Sequence, residues 1–214
     1  MVTRNVVLDV DGTLMDTNYL HVEAWARAFE EIGMRIPRAA IHKQIGRGSD
    51  QLIARFTQDE EVAGRVDELH SELYSGFQEF GYPLPGASEM IQTLSERGYQ
   101  VWFVTSAKPE ELEHHLRALD AGERLSGVVS SGDVERSKPA PDIFELALER
   151  AGASPEETVA VGDSVWDVEA AGAAGIRTFA VLTGGAFSEA ELREAGAAGV
   201  YRDCEALLAS GFPR

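Results

Sequence analysis

Two aspartates, Asp9 and Asp11, stand either side of a single valine in the stretch LDVDGTLMDT, directly after the apolar residues Val6, Val7 and Leu8. Side chains two apart on an extended chain point the same way, so a strand ending here aims both carboxylates in one direction. Like charges that close repel, and a bound cation, a shared proton or a reaction must compensate. Similar polar residues follow other apolar runs. Thr105 and Ser106 come after Val101 to Val104, Gly162 and Asp163 after Val159 to Val161, and Lys138, in RSKPAPD, stands just before a helix expected to begin near Asp142. Three acids, a hydroxyl pair and a lysine can together serve phosphate and metal chemistry.

The elements that must position these groups show in the apolar periodicity. Strands are expected at Val6 to Leu8, Val101 to Val104, Val128 and Val129, Val159 to Val161, and Thr178 to Leu182. Between them lie helical patterns at Ala87 to Arg97, Pro109 to Leu119, Asp142 to Ala151 and Val165 to Ala174, with short closing helices at Glu189 to Glu194 and Glu205 to Leu208. Apolar strands alternating with amphipathic helices predict an α/β fold, a parallel sheet covered on both faces. In such a sheet ligands bind beyond the carboxyl ends of the strands, where all the polar groups above fall.

The segment from Asp16 to about Pro83 breaks the alternation. Val22, Trp25, Phe29 and Ile32 recur at helical spacing, with Asp16 or Thr17 as a start and Gly33 as a stop. A loop is expected over Gly46 to Ser49 in IGRGSD. A second stripe, Val62, Val66, Leu69, Leu73, Phe77 and Phe80, predicts a long helix ending before GYPLPG. The division expected is therefore a core of residues 1–15 and 84–214 and an inserted helical cap of residues 16–83.

Each chemical residue also has a plainer role open to it. Asp9 or Asp11 alone suits a turn, Thr105, Ser106, Asp163 or Ser164 a helix cap, and Lys138 a solvated charge. Their joint occurrence at neighbouring strand ends is what turns and caps do not require. A calcium loop is excluded by its own spacing, which needs glycine at the sixth position and glutamate at the twelfth. Counted from Asp9, those positions hold Leu14 and Leu20, and the glycine falls early, at Gly12.

Composition narrows the function further. A net charge of -17 over 214 residues with 44% hydrophobic residues describes a folded chain with an acidic surface, from which neither nucleic acid nor anionic membrane is expected as a partner. The single cysteine, Cys204, excludes an intrachain disulfide and is expected to be a partly buried small side chain. The first motif begins too early for a signal peptide and no apolar run suits a bilayer span, so a cytoplasmic protein is expected, a monomer or weak homodimer.

Taken in order, DVDGTL, VTSAK, SKPAPDIF and VGDSVWD resemble the four motifs of the haloacid dehalogenase superfamily across essentially the whole chain. The helical insertion after the first motif resembles the cap of its phosphoglycolate phosphatase and beta-phosphoglucomutase group. The resemblance implies a Rossmann-like core and a phosphoric monoester hydrolase acting on a small phosphomonoester. It implies Asp9 as the nucleophile that forms an aspartyl phosphate, and Asp11 as the acid that protonates the leaving oxygen and then activates water. It also implies Mg2+ held by Asp9, Asp163 and the backbone carbonyl of Asp11. Lys138, the Thr105 hydroxyl and the Ser106 backbone N–H would hold phosphoryl oxygens, and Asp167 a metal water or Lys138.

In the insertion, His21 is either a packing histidine or a substrate contact, and the mutase branch uses a histidine in this region to assist the acid-base residue. Arg47, between Gly46 and Gly48, is either a substrate contact on a closing loop or a solvated arginine. Lys108 either borders the phosphate or stands exposed at a helix start. A sugar-phosphate mutase on the same fold is the alternative function, against which Thr13 and Gly162 speak, since that group often has other residues at both places. A dehalogenase lacks the second acid that Asp11 supplies. A domain that accepts phosphate only as a signal would be shorter and carry its acceptor on a later strand.

Overall fold

The computed structural model describes residues 3–213. Among them, six parallel strands form one sheet in the order β3-β2-β1-β4-β5-β6. They are β1 Asn5–Leu8, β2 Gln100–Thr105, β3 Gly127–Ser130, β4 Thr158–Gly162, β5 Arg177–Val181 and β6 Gly199–Tyr201. The core is α/β and Rossmann-like. Because β1 pairs with both β2 and β4, connections leave in opposite directions from it, and the crevice beyond its end is where such sheets take ligands.

Alternation along the strands divides the core between the two faces. Val6, Leu8, Val101, Phe103, Val159 and Val161 pack on one side with Met90, Ile91 and Leu94 of α5 (Ala87–Glu96) and Leu207 of α10 (Cys204–Ala209). Val7, Trp102, Val104 and Ala160 pack on the other with Ile143, Phe144 and Ala147 of α7 (Asp142–Ala151) and Ala170 and Ala171 of α8 (Val165–Ala173). The remaining core helices are α6 (Pro109–Ala118) and α9 (Glu189–Glu194). Burial on both faces is why the strands read as continuous apolar runs.

The helices α1 (Asn18–Glu31), α2 (Arg38–His42), α3 (Ser49–Ala54) and α4 (Glu60–Ser75) build a separate apolar cluster around Val22, Trp25, Phe29, Ile41, Leu52 and Val66. The chain leaves and re-enters the core side by side: Asp16 N–H donates to the Tyr82 carbonyl, and Leu84 N–H to that of Leu14, each at 2.8 Å.

Four details depart from the periodicity. Thr17 takes the N-cap position of α1 without capping it, because its hydroxyl is spent on Asp11. Ser49 opens α3 rather than closing a loop. The α4 helix stops at Ser75, so Phe77 and Phe80 leave its stripe, and Phe80 is exposed. The three-residue β6, pinned by pairing with β5, was too short to show as a pattern. Cys204 is fully buried, and burial pushes its thiol up to about 12. No helix among the described residues is long and apolar enough to cross a membrane.

Candidate active site

The end of β1 turns sharply at Gly12, whose φ of 78° favours glycine. A side chain there would also meet the Asn18 amide and lie 2.6 Å from Asp163 Oδ2. This close approach lets Asp9 and Asp163, from the adjacent ends of β1 and β4, share a site. Thr13 Oγ1 lies 2.9 Å from Asp9 Oδ2 and 3.1 Å from Asp163 Oδ1. Asn18, at the start of α1, donates to Asp163 Oδ2 at 3.1 Å and to the Gly184 carbonyl at 3.3 Å.

Lys138 is fully buried and donates to Asp9 Oδ1 and Asp167 Oδ1, each at 2.7 Å, and to the Val104 carbonyl at 3.2 Å. All three ammonium hydrogens thus have acceptors. Asp167 is held in turn from the opposite side, where the backbone N–H and hydroxyl of Ser164 donate to its Oδ2 at 3.1 and 2.5 Å. The capping role and the chemical one coincide here, since the box that starts α8 also aims Asp167 at Lys138.

Burial and the neighbouring Asp167 charge raise the Asp9 carboxyl to about 7, against the pull of Lys138. Asp163 is raised well above the carboxylate range by burial and by Asp9 and Asp167. Carboxylate oxygens of Asp9, Asp163 and Asp167 all lie within 4.8 Å of one another. Lys138 thus meets two of the three buried acids, Asp9 and Asp167, and the Thr13 hydroxyl has one hydrogen for two carboxylates, Asp9 and Asp163. A hard divalent cation fits this donor set, since it takes oxygen ligands and supplies the missing positive charge.

Asp11 faces a different environment, although it is only two residues from Asp9. Its Oδ1 accepts the Thr17 hydroxyl at 2.6 Å and lies 3.4 Å from His21 Nε2 and 3.9 Å from His115 Nε2, while Thr105 Oγ1 is 3.4 Å from its Oδ2. Burial favours the neutral acid, but His115, His21 and the Thr17 hydroxyl outweigh it and hold the carboxyl well below its usual range. For His21, the contact with Asp11 outweighs burial and raises the imidazole. A proton shared by this pair therefore rests on the histidine.

Asp9, Asp11 and Ser106 floor a cavity of about 70 Å³, which His21, Trp25, Arg47, His70 and Lys108 also line. Arg47 crosses from the α2–α3 loop to the core, its guanidinium 3.6 Å from the ring centroid of Trp166 on α8. Lys108 is not a free helix-start lysine: its ammonium donates to Asp67 Oδ2 at 3.0 Å and Ser71 Oγ at 2.6 Å on α4. Thr105 is fully buried and accepts the Ala107 N–H at 2.9 Å.

The motifs did not single out Asn18, Thr17, His70, Glu111 or His115. Asn18 and Thr17 stood close behind the first motif, a signal that was there to use. His70 and Glu111, which line the cavity, and His115, beside Asp11, reach the site only through helix packing.

Fold and site together define a Rossmann-like α/β protein with an acid-lined cleft at the end of its first strand. Residues 3–175 match the haloacid dehalogenase-like hydrolases, and the chain belongs to that family. It is 29% identical over 206 residues to a phosphorylated carbohydrates phosphatase of Thermotoga maritima, covering 94% of this chain and 95% of that protein. It is 32% identical to the plasmid-encoded phosphoglycolate phosphatase of Cupriavidus necator over 80% of this chain and 77% of that one. Among solved structures, a hydrolase from Pseudomonas syringae superposes with a TM-score of 0.91 at 32% identity, covering 97% of both chains.

Proposed function

We propose that this protein is a Mg2+-dependent phosphatase of small phosphomonoesters that works through an aspartyl phosphate on Asp9. The observation that carries the reading is the contrast between two neighbouring carboxylates. Asp9 is fixed by Lys138 and Thr13 at the cavity floor, while Asp11 is paired with His21 and the Thr17 hydroxyl. Mg2+, held by Asp9, Asp163 and the backbone carbonyl of Asp11 with Asp167 in support, would offset the repulsion between a carboxylate and a phosphate dianion.

Asp9 attacks phosphorus, and the bond to the alcohol oxygen breaks with its electron pair. That oxygen takes a proton from Asp11, which draws it in turn from His21, where the proton of the pair rests. Water then attacks the phosphorus, loses its proton to Asp11 and restores the Asp9 carboxylate as phosphate leaves. Lys138, once it releases one of its present acceptors, would hold the phosphoryl oxygens with the Thr105 hydroxyl and the Ser106 backbone N–H. Residues 16–83 act as the cap over a core of residues 1–15 and 84–214. The names of the relatives support the substrate class, phosphorylated carbohydrates and phosphoglycolate among them. Against the mutase alternative stands Gly162, where a side-chain carbon would lie 2.5 Å from Asp167 Cβ.

Phosphate release measured over a panel of phosphomonoesters should vanish in EDTA and return with Mg2+, with many turnovers per protein molecule. Undiminished release in excess chelator would overturn the reading. The metal should also show proton linkage. Mg2+ binds the ionised carboxylate, and Asp9 loses its proton only near pH 7 in the free protein. Affinity for Mg2+ should therefore climb with pH, by up to about tenfold per unit for each displaced proton, with Asp163, also raised, contributing beside Asp9. Calorimetric affinities that agree at pH 5.5 and 7.5 would remove Asp9 from the ligand set.

Arg47 supplies the prediction for the cap. Arg47→Ala should lower kcat/KM for the preferred substrate well beyond its effect on a plain aryl phosphate, because remote binding energy counts only where the substrate offers a group to hold. Equal losses on both would make Arg47 a structural residue through its stack on Trp166.

A further inference from the structure

Two helices of the inserted segment each carry a pair of aromatic rings one turn apart: His21 and Trp25 on α1, His70 and Tyr74 on α4. Residues four apart share a helix face, and the helices meet so that each histidine finds the other helix's larger ring. His21 stacks on Tyr74 with centroids 3.8 Å apart and planes 8° from parallel, and His70 stacks on Trp25 at 3.7 Å and 9°. The two imidazoles meet edge to edge, with His21 Nδ1 3.3 Å from His70 Nε2. Through its other nitrogen His21 reaches Asp11. All four rings are buried.

Packing alone does not call for this composition. His70 Nδ1 and the Tyr74 hydroxyl are buried without hydrogen-bond partners, which costs stability that leucine or phenylalanine would not. Burial also keeps the His70 imidazole well below its ordinary range, so the ring is neutral and presents one donor and one acceptor. An imidazole can turn over about its Cβ–Cγ bond, which puts Cδ2 where Nδ1 stood and Cε1 where Nε2 stood, so that neither nitrogen meets its partner. Pairing Nδ1 with His70 leaves Nε2 as the nitrogen facing Asp11, and the stack on Tyr74 fixes the plane of the ring.

We propose that His70 is a positioning residue that sets the ring orientation of His21, keeps Nε2 as the nitrogen turned to Asp11, and thereby directs the proton of the Asp11–His21 pair to the departing oxygen. The proposal rests on the phosphatase reading above, but its structural half is measurable without turnover. A packing residue and a positioning residue differ in what they do to substrates with different leaving groups. An alkyl alkoxide needs a proton as it leaves, whereas 4-nitrophenolate departs as the anion, and kcat/KM reports the step in which either is expelled.

His70→Phe keeps a ring against Trp25 and removes the nitrogen, and His70→Gln restores an amide within reach of His21 Nδ1. In the Mg2+-loaded protein, His70→Phe should lower kcat/KM for an alkyl phosphate by about tenfold or more and for 4-nitrophenyl phosphate by much less, with His70→Gln recovering part of the difference. Equal losses on both substrates, or none on either, would overturn the proposal. The imidazole nitrogen resonances of His21 should shift in His70→Phe, and unchanged resonances would overturn it even in a protein that releases no phosphate. Absent phosphate release from the wild type would instead reject the phosphatase reading. If the phenylalanine variant does not fold, the glutamine variant alone decides: its His21 resonances should stay near those of the wild type, and a shift to the values of free histidine would overturn the proposal.

Discussion

Asp9→Asn is expected to abolish steady-state phosphate release, by roughly 10⁴-fold or more, the order of loss seen when a covalent nucleophile is removed. The amide has nearly the shape of the carboxylate and can still accept from Lys138, but it cannot form the acyl phosphate. The same substitution should raise the melting temperature in chelator at pH 7.5. Asp9 has a higher pKa in the folded protein than in the unfolded chain, so its ionisable side chain lowers stability once pH exceeds the unfolded value of about 4, increasingly up to about 7. Asparagine has no proton to lose and escapes that penalty. Turnover near the wild-type rate would sink the nucleophile assignment, and a lower melting temperature would contradict the electrostatic account of the cluster.

Lys138→Met should produce the largest loss of stability. The side chain is fully buried, and its removal strips Asp9 and Asp167 of their shared partner without opening a route for water. Uncompensated buried charge of this kind costs about 3–5 kcal/mol, which urea unfolding in EDTA would read directly. The deficit should shrink as pH falls from about 9 to 7, because Asp9 without the lysine takes up its proton in the folded state at a higher pH than the value of about 7 it has beside Lys138. Mg2+ should recover part of the stability, with no return of turnover. A deficit below about 1 kcal/mol that does not vary with pH would be the behaviour of an exposed pair and would remove Lys138 from the acid cluster.

The sequence by itself determined the parallel sheet and which polar residues follow its strands. Both depend on short-range order: apolar runs such as Val101 to Val104 declare strands buried on two faces, and a parallel sheet places whatever follows each strand at one edge. Asp9, Thr105 and Asp163 could therefore be brought together on paper before any helix was packed. Even so, the three-residue β6 escaped notice, because so short a run has no period to read and depends on β5 for its pairing.

What only the tertiary structure decided is how each group is partnered. Asp9 and Asp11 are equivalent in type and two positions apart, yet Lys138 and Asp167 surround one and Thr17, His21 and His115 the other. Lys108 reads as a helix-start cation and is tied instead to Asp67 and Ser71 of α4. Arg47 lies on Trp166, and the ring clamp of His21, Trp25, His70 and Tyr74 joins residues up to 53 positions apart. None of these follows from local periodicity, which says which face of a helix is buried but not which helix will cover it. That choice is made by the packing of α1 against α4 and of both against the end of the sheet, where partners distant in sequence first come within bonding distance.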